Sequence, residues 1–363
     1  MKIGLDAKRA FTNHSGLGNY SRELIDSLKE YSELNLNLFT TEKNSQIFNP
    51  KNINIYTPKI KIFKNYWRQY QIGNILNKED ITIYHGLSNE IPRNLNKKVK
   101  SIVTIHDLIH IKYPEFYNLI DRKIYYQKSK YACKNANKII AISQQTKEDI
   151  IKYFKIEEEK IRVIYQGCHS DFIKADKNSS ILKKYGINKP FILYVGTIEE
   201  RKNLKLIIQA IKDLKEVNLV CIGKKTNYYN KIIKYIKKEN IKNNILFPKV
   251  DNMQDLSYIY KESKGLVNPS IYEGFGKPIV EAMYSKIPVI LTDTKIFKEV
   301  GGPYSYYFRP NNKEQLIKLI NKIWNPAVDV NENVKKSRVF AERFNNKIQA
   351  KKIFEIYKEI DSL

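Results

Sequence analysis

Short apolar runs alternate with amphipathic stretches along almost the whole chain. Runs at 1–5, 36–39, 53–56, 81–85, 101–105, 138–142 and 162–165 read as strands, while 21–31, 66–76, 122–135 and 144–154 carry helical spacing. A second series follows, with strands at 191–195, 217–222, 245–247, 265–268 and 288–291. Its helices are expected at 203–214, 228–239, 253–262, 278–285 and 313–324. Such alternation predicts α/β architecture, parallel sheets covered by helices, and two series predict two domains. We set these at 1–170 and 171–340, followed by a terminal segment 341–363. The polar stretch 170–189 is the expected linker, and 334–360 reads as one last helical stretch.

In open parallel sheets, ligands bind beyond the carboxyl ends of the strands, so the loops there matter most. Asn268-Pro-Ser-Ile-Tyr-Glu273-Gly274-Phe275-Gly276-Lys277-Pro278-Ile-Val-Glu281 joins a strand to a helix through a glycine-rich turn. Pro278 suits the first helical turn, where a missing N–H costs nothing. The turn offers unpaired backbone N–H groups and a partial positive charge, flanked by the carboxylates of Glu273 and Glu281. Two acids at such a corner suit a ligand rich in hydroxyls; a tight turn with solvated acids is the alternative. After the first strand of the second series, Gly196-Thr-Ile-Glu-Glu-Arg201-Lys202-Asn203 places adjacent cations at a helix start. They can grip a phosphate pair, or can equally be a solvated basic turn.

Three loops in the first half also follow strands. Thr12-Asn-His14-Ser-Gly16-Leu-Gly18-Asn-Tyr opens a helix with two glycines, but Ser21 stands where a dinucleotide fingerprint needs its third. His106-Asp107 leaves the run 102–105, so that His106 either meets substrate or is satisfied structurally. His85 ends another strand and reads as structural.

The 363 residues suffice for two cores, and 42% hydrophobic with 28% charged residues describes a globular chain. No apolar run approaches the roughly 18 residues needed to cross a bilayer. Met1-Lys2 runs straight into the first strand without a signal-like core, so a cytoplasmic protein is expected. Cys133, Cys168 and Cys221 are far apart and lack metal-like spacing, so they read as structural thiols. The formal charge of +26 attracts anionic surfaces. Its lysine excess accompanies abundant Ile and Asn, as in a compositionally biased genome. No nucleic-acid signature accompanies it.

Together these motifs resemble a retaining glycosyltransferase of the GT-B fold, family 4 (glycosyl transferases group 1). The segment Glu273 to Glu281 is similar to that family's glutamate-x7-glutamate motif, and Gly196 with Arg201-Lys202-Asn203 to its diphosphate-binding turn. Ile-His106-Asp107-Leu, Ile140-Ala-Ile-Ser143, Ile164-Tyr-Gln-Gly167 and the Gly16 to Gly18 loop match N-terminal landmarks. The resemblance implies two Rossmann-like domains facing a cleft, the first binding the acceptor and the second the nucleotide-sugar donor, with the last helix crossing back to the first. It implies that Glu281 binds the donor ribose and Glu273 a sugar hydroxyl, with backbone N–H groups from Phe275 to Lys277 assisting and Gly274 among the donor-binding residues. Arg201 and Lys202 would hold the diphosphate, with Gly18 across the cleft; His106 would contact the transferred sugar, and Val250 would lie beside the base. His14 and Asp107 are the acceptor-side candidates.

No cofactor is implied beyond the nucleotide sugar, and without an Asp-x-Asp motif no metal is indicated. General likeness to bacterial surface-polysaccharide mannosyltransferases favours a GDP-mannose donor, with UDP-glucose-type donors open. The acceptor would be a glycan or lipid-linked glycan. The segment Pro58-Lys-Ile-Lys-Ile-Phe-Lys-Asn-Tyr-Trp-Arg68 mixes cations with aromatics, as a segment resting on an anionic membrane does, and as an ordinary exposed edge also can. A silent sugar-nucleotide-binding subunit, and more remotely a basic nucleic-acid-binding protein, are the other classes.

Overall fold

A computed structural model describes residues 1–43, 47–174, 180–325 and 327–362. The chain forms two compact units, Met1–Gly167 with Asn345–Leu363, and Cys168–Phe344. The first holds a seven-stranded sheet in the order β3-β2-β1-β4-β5-β6-β7. Its strands are β1 (Lys2–Asp6), β2 (Asn35–Phe39), β3 (Asn54–Tyr56), β4 (Ile83–Gly86), β5 (Lys100–Ile105), β6 (Lys138–Ala141) and β7 (Ile161–Val163). Every pairing is parallel, with Leu5 opposite Leu38 on one side and His85 on the other. The order reverses between β1 and β4, so the loops leaving those strands spread apart into a crevice.

The second unit repeats the plan with six parallel strands in the order β10-β9-β8-β11-β12-β13. These are β8 (Phe191–Val195), β9 (Asn218–Ile222), β10 (Ile245–Leu246), β11 (Leu266–Asn268), β12 (Val289–Thr292) and β13 (Tyr306–Phe308). Its reversal lies between β8 and β11. The helix Leu204–Lys212 shows why the unit holds together, burying Leu204, Ile207, Ile208 and Ile211 completely against the sheet. Each such side chain contributes about 1.5–3 kcal/mol.

Three expectations need correction. The stretch 66–76 is two helices, Lys64–Tyr70 and Ile72–Lys78, broken at Gln71. The stretch 334–360 is also broken, into Asn331–Phe340, a short turn Ala341–Arg343, and Asn346–Asp361. Asn345 leaves the helical region and its side chain accepts the Lys347 N–H at 2.8 Å, capping a new helix. Phe344 before it is fully buried against Phe275 and Phe340 of the second unit.

The segment 170–189 is not a free linker. Its helix Ser170–Lys174 buries Phe172 on the Tyr260 ring at 5.2 Å, and Asp255 accepts from Lys184 and Tyr185 at 2.5 and 2.6 Å. Positions 175–179 lie outside the described residues. The compact units divide after Gly167 and after Phe344. The helix Asn346–Asp361 belongs to the first unit, where Ile353, Tyr357 and Ile360 share a core with Leu24 and Leu28.

Candidate active site

In the second unit the turns leaving β8 and β11 are clasped together. The main-chain N–H of Ile271 donates to the Arg201 carbonyl at 2.9 Å, and the Arg201 guanidinium returns a hydrogen bond to the Tyr272 carbonyl. Between these two bonds the side chains converge on Glu273. Lys202 Nζ donates to Glu273 Oε1, while Arg201 Nη1 lies 3.4 Å from Oε2 and Nη2 holds Glu199 Oε1 at 2.5 Å. Glu273 is 7% exposed. Burial alone would push its carboxyl up, but Lys202 and Arg201 outweigh that and hold it below the usual carboxylate range. Burial draws the Lys202 ammonium down, against the pull of Glu273. Arg201, Lys202 and Glu273 thus form one charged cluster, and Glu199 is part of it rather than a bystander.

Gly274, Phe275 and Gly276 carry the chain from this cluster into the helix Lys277–Tyr284. Gly276 has φ +98°, and a Cβ there would lie 2.9 Å from Ile279, so glycine suits this corner. Phe275 is 3% exposed and stacks edge-on to Phe344 at 5.5 Å, so its side chain anchors the loop from behind. Pro278 sits in the first turn and Lys277 is also buried. Glu281 follows one turn later, 5% exposed, with Oε2 accepting the Tyr260 hydroxyl at 2.8 Å. Tyr260, on the helix Met253–Glu262, escaped sequence reading because its spacing marks it only as a core position. Gly196 leaves β8 directly, and Val250 lies in the loop that leaves β10.

In the first unit His106 leaves β5 and is 3% exposed. Its Nε2 lies 2.8 Å from the Leu87 carbonyl, and its main-chain N–H donates to Asn89 Oδ1 at 2.8 Å. A carbonyl only accepts, so Nε2 carries the proton and the ring presents Nδ1 as an acceptor. Burial lowers its pKa to about 4, and the Tyr20 ring packs edge-on at 4.6 Å. His106 is therefore a neutral, oriented imidazole. Gly18 fits because a Cβ there would meet the Asn13 carbonyl oxygen at 1.8 Å and the Arg9 carbonyl oxygen at 3.0 Å. Asp107 is half-buried, with Oδ1 accepting from Ile109 N–H at 3.2 Å, and His14 is exposed on the preceding loop.

His85 is structural. It is fully buried between Tyr357 Oη at 2.7 Å and Thr104 Oγ1 at 2.8 Å, and burial lowers its pKa to about 3. Thr104 in turn meets Tyr20 Oη at 3.1 Å, so a polar chain runs from the terminal helix to the residue packed on His106.

Sequence reading also missed a charge network at the same sheet edge. Arg68 Nη2 holds Asp6 Oδ2 at 2.5 Å and Glu90 Oε1 at 2.6 Å, and Lys128 holds Glu90 Oε2 at 2.7 Å. Among the described residues no group of three or more His, Cys, Asp or Glu is arranged to hold a metal, and no helix is long and apolar enough to cross a membrane. The three cysteines are buried free thiols.

Two parallel Rossmann-like sheets, with a cation-clasped glutamate beyond one and an oriented histidine beyond the other, define a GT-B protein. Residues 14–172 match the family described as Glycosyltransferase Family 4, and residues 177–338 match Glycosyl transferases group 1. The chain belongs to this glycosyltransferase family. It is 28% identical over 247 residues to O-antigen chain mannosyltransferase RfbU of Salmonella typhimurium, covering 67% of this chain and 63% of that one. To O-antigen chain mannosyltransferase B of Escherichia coli it is 28% identical over 243 residues, covering 64% and 63%. The matched stretch thus spans less than two thirds of each of these curated relatives. Among solved structures, sucrose-phosphate synthase from Thermosynechococcus elongatus superposes with a TM-score of 0.81 at 18% identity, over 100% of this chain and 99% of the other.

Proposed function

We propose that this protein moves a hexosyl unit from a nucleotide diphosphate sugar to a glycan or lipid-linked glycan in cell-envelope polysaccharide synthesis, with retention at the anomeric carbon. The observation that carries the proposal is the convergence of Arg201 and Lys202 on Glu273 at the carboxyl ends of β8 and β11. Breaking a sugar–diphosphate bond places negative charge on the leaving phosphate. Fixed cations already in place there lower the barrier without having to reorganise. Glu273, kept ionised by the same cations, accepts hydrogen bonds from a sugar hydroxyl. Glu281 takes the ribose by exchanging or sharing its bond with Tyr260. His106, neutral, offers Nδ1 to the transferred sugar. The mannosyltransferase relatives support mannose as the transferred sugar, and GDP-mannose is the donor proposed for it.

We further propose that the reaction runs at the face of an anionic membrane, and the exposed side chains at 60–66 support that reading. Ile60, Ile62, Phe63 and Tyr66 are 60, 87, 58 and 55% exposed, interleaved with exposed Lys59 and Lys64. Cations among exposed apolar side chains suit an anionic lipid surface.

The test is incubation with GDP-mannose and a membrane extract containing lipid-linked oligosaccharide, with the product's anomeric configuration read by NMR. An α-mannoside from the α-linked donor is expected. Inversion, or transfer only from UDP sugars, would replace the respective part of the proposal.

A further inference from the structure

The carboxyl end of β1 carries two cations without acidic partners. Lys8 and Arg9 follow Asp6 almost directly, and both side chains are half-buried. Among the described residues neither side chain makes a hydrogen bond or ion pair. The acids around them are already engaged. Asp6 Oδ2 is on Arg68 at 2.5 Å, and its Oδ1 accepts the Lys8 main-chain N–H at 3.2 Å. Glu90 is shared between Arg68 at 2.6 Å and Lys128 at 2.7 Å. Four cations therefore face two carboxylates at this edge.

We infer that Lys8 and Arg9 form a subsite for a phosphate or diphosphate group carried by the acceptor. Lysine and arginine offer only donors, so a neutral hydroxyl gains little here over water, whereas an anion completes the charge balance. Arginine supplies a planar fork and lysine a compact point charge, the pair of shapes that suits phosphate oxygens. The place fits an acceptor group. The Arg9 carbonyl abuts the Gly18 loop, and the Arg9 charge acts on His106. The subsite thus lies beside the histidine assigned to the transferred sugar, on a different unit from Arg201 and Lys202. Burial and then the Arg68 charge draw Lys8 down to about 8, with Arg9 adding to this and Glu90 and Asp6 opposing it. A bound anion reverses that effect, so anion binding is strong below this value and weakens above it.

The inference rests on the reading that the first unit takes the acceptor, and its test separates the two. Inorganic pyrophosphate is titrated calorimetrically into the full-length protein at about pH 7. The expected result is two binding events in the wild type. One of them should be weakened about tenfold or more in Lys8→Gln/Arg9→Gln, the other in Arg201→Gln. Identical isotherms for the wild type and the Lys8→Gln/Arg9→Gln variant overturn the inference, whatever Arg201→Gln does. An unchanged Arg201→Gln isotherm alone counts against the donor reading only.

Lys8→Arg gives an arm that does not depend on the double variant folding. At about pH 9.5 the wild type should lose about tenfold in affinity at this subsite while Lys8→Arg keeps it, although pyrophosphate itself gains charge. Equal loss in both proteins contradicts the inference. Geranyl diphosphate as a second titrant identifies the carrier. Binding about tenfold tighter than pyrophosphate marks a prenyl-linked group, and equal binding marks a phosphate borne by the sugar.

Discussion

Lys202 donates directly to Glu273, tying the turn after β8 to the turn after β11 across the strand reversal of the second sheet. Arg201 approaches the other carboxylate oxygen of Glu273 at 3.4 Å. The residue expected to touch the sugar is therefore held by the residues expected to hold the diphosphate. Loss of either side disturbs both.

Glu273→Gln should lower transfer by about 10²–10³ because it removes an ionic acceptor and resets the cations beside it. The stability effect distinguishes it from Glu273→Ala. Truncation leaves Lys202 buried without its carboxylate partner, while Arg201 keeps Glu199; breaking such a buried pair costs about 3–5 kcal/mol. The amide keeps a hydrogen-bond acceptor and costs less. Chemical denaturation of both variants beside a transfer assay checks this. Near-wild-type turnover in Glu273→Gln would remove the carboxylate from the reaction.

Stability should fall with acid in two stages. His85 and His106, lowered by burial to about 3 and about 4, are neutral in the folded protein. Unfolded histidine titrates near 6.5, so the unfolded state binds more protons below that value and stability declines as pH falls from about 6.5. Burial pushes Glu90 up, yet Arg68 and Lys128 hold it at about 2. Its contribution is complete above its unfolded value and is lost as pH falls from about 4.5 towards 2, on the order of 3 kcal/mol in all. Urea unfolding at about pH 7, 5.5 and 3.5 reads both stages. Glu90→Gln should flatten the lower one.

Tyr357→Phe should destabilise the protein by about 1–3 kcal/mol, because His85 Nδ1 is left buried without its partner 2.7 Å away. The change lies on the terminal helix, so the loss reports how firmly that helix is fastened to the first core. A melt indistinguishable from wild type would mean that water replaces the hydroxyl.

Ile62→Asp and Phe63→Asp should each weaken binding to vesicles containing phosphatidylglycerol while leaving the thermal midpoint within about 2 °C of wild type, since both side chains are exposed. Co-sedimentation at low and physiological salt measures it. A protein that ignores anionic vesicles at both salt levels has no membrane face of this kind.

Much of the architecture was legible because parallel strands buried on both faces leave short apolar runs that stand out between helices. β13 (Tyr306–Phe308) was not, since three residues after Gly301-Gly-Pro offer no period to read. The break at Asn345 is set by a side-chain cap, which hydrophobic spacing does not show. At the site, Glu273, Arg201 and Lys202 were visible as motif residues, but their mutual pairing was not. The partnership of Tyr260 with Glu281 and that of Arg68 with Asp6, 62 positions apart, exist only once the sheets form. Periodicity carries no information about which polar groups a fold brings together.

The central claim is that a nucleotide diphosphate sugar sits on the Glu273 cluster. The most direct measurement is a thermal-shift series of wild type and Arg201→Gln with GDP-mannose, UDP-glucose, ADP-glucose and dTDP-glucose. A ligand at 100 times its Kd raises stability by about 2.7 kcal/mol. One nucleotide sugar, GDP-mannose on this account, should raise the wild-type midpoint by several degrees and the Arg201→Gln midpoint far less. If none shifts the wild type, or the shift is the same in Arg201→Gln, the account of the cluster is contradicted.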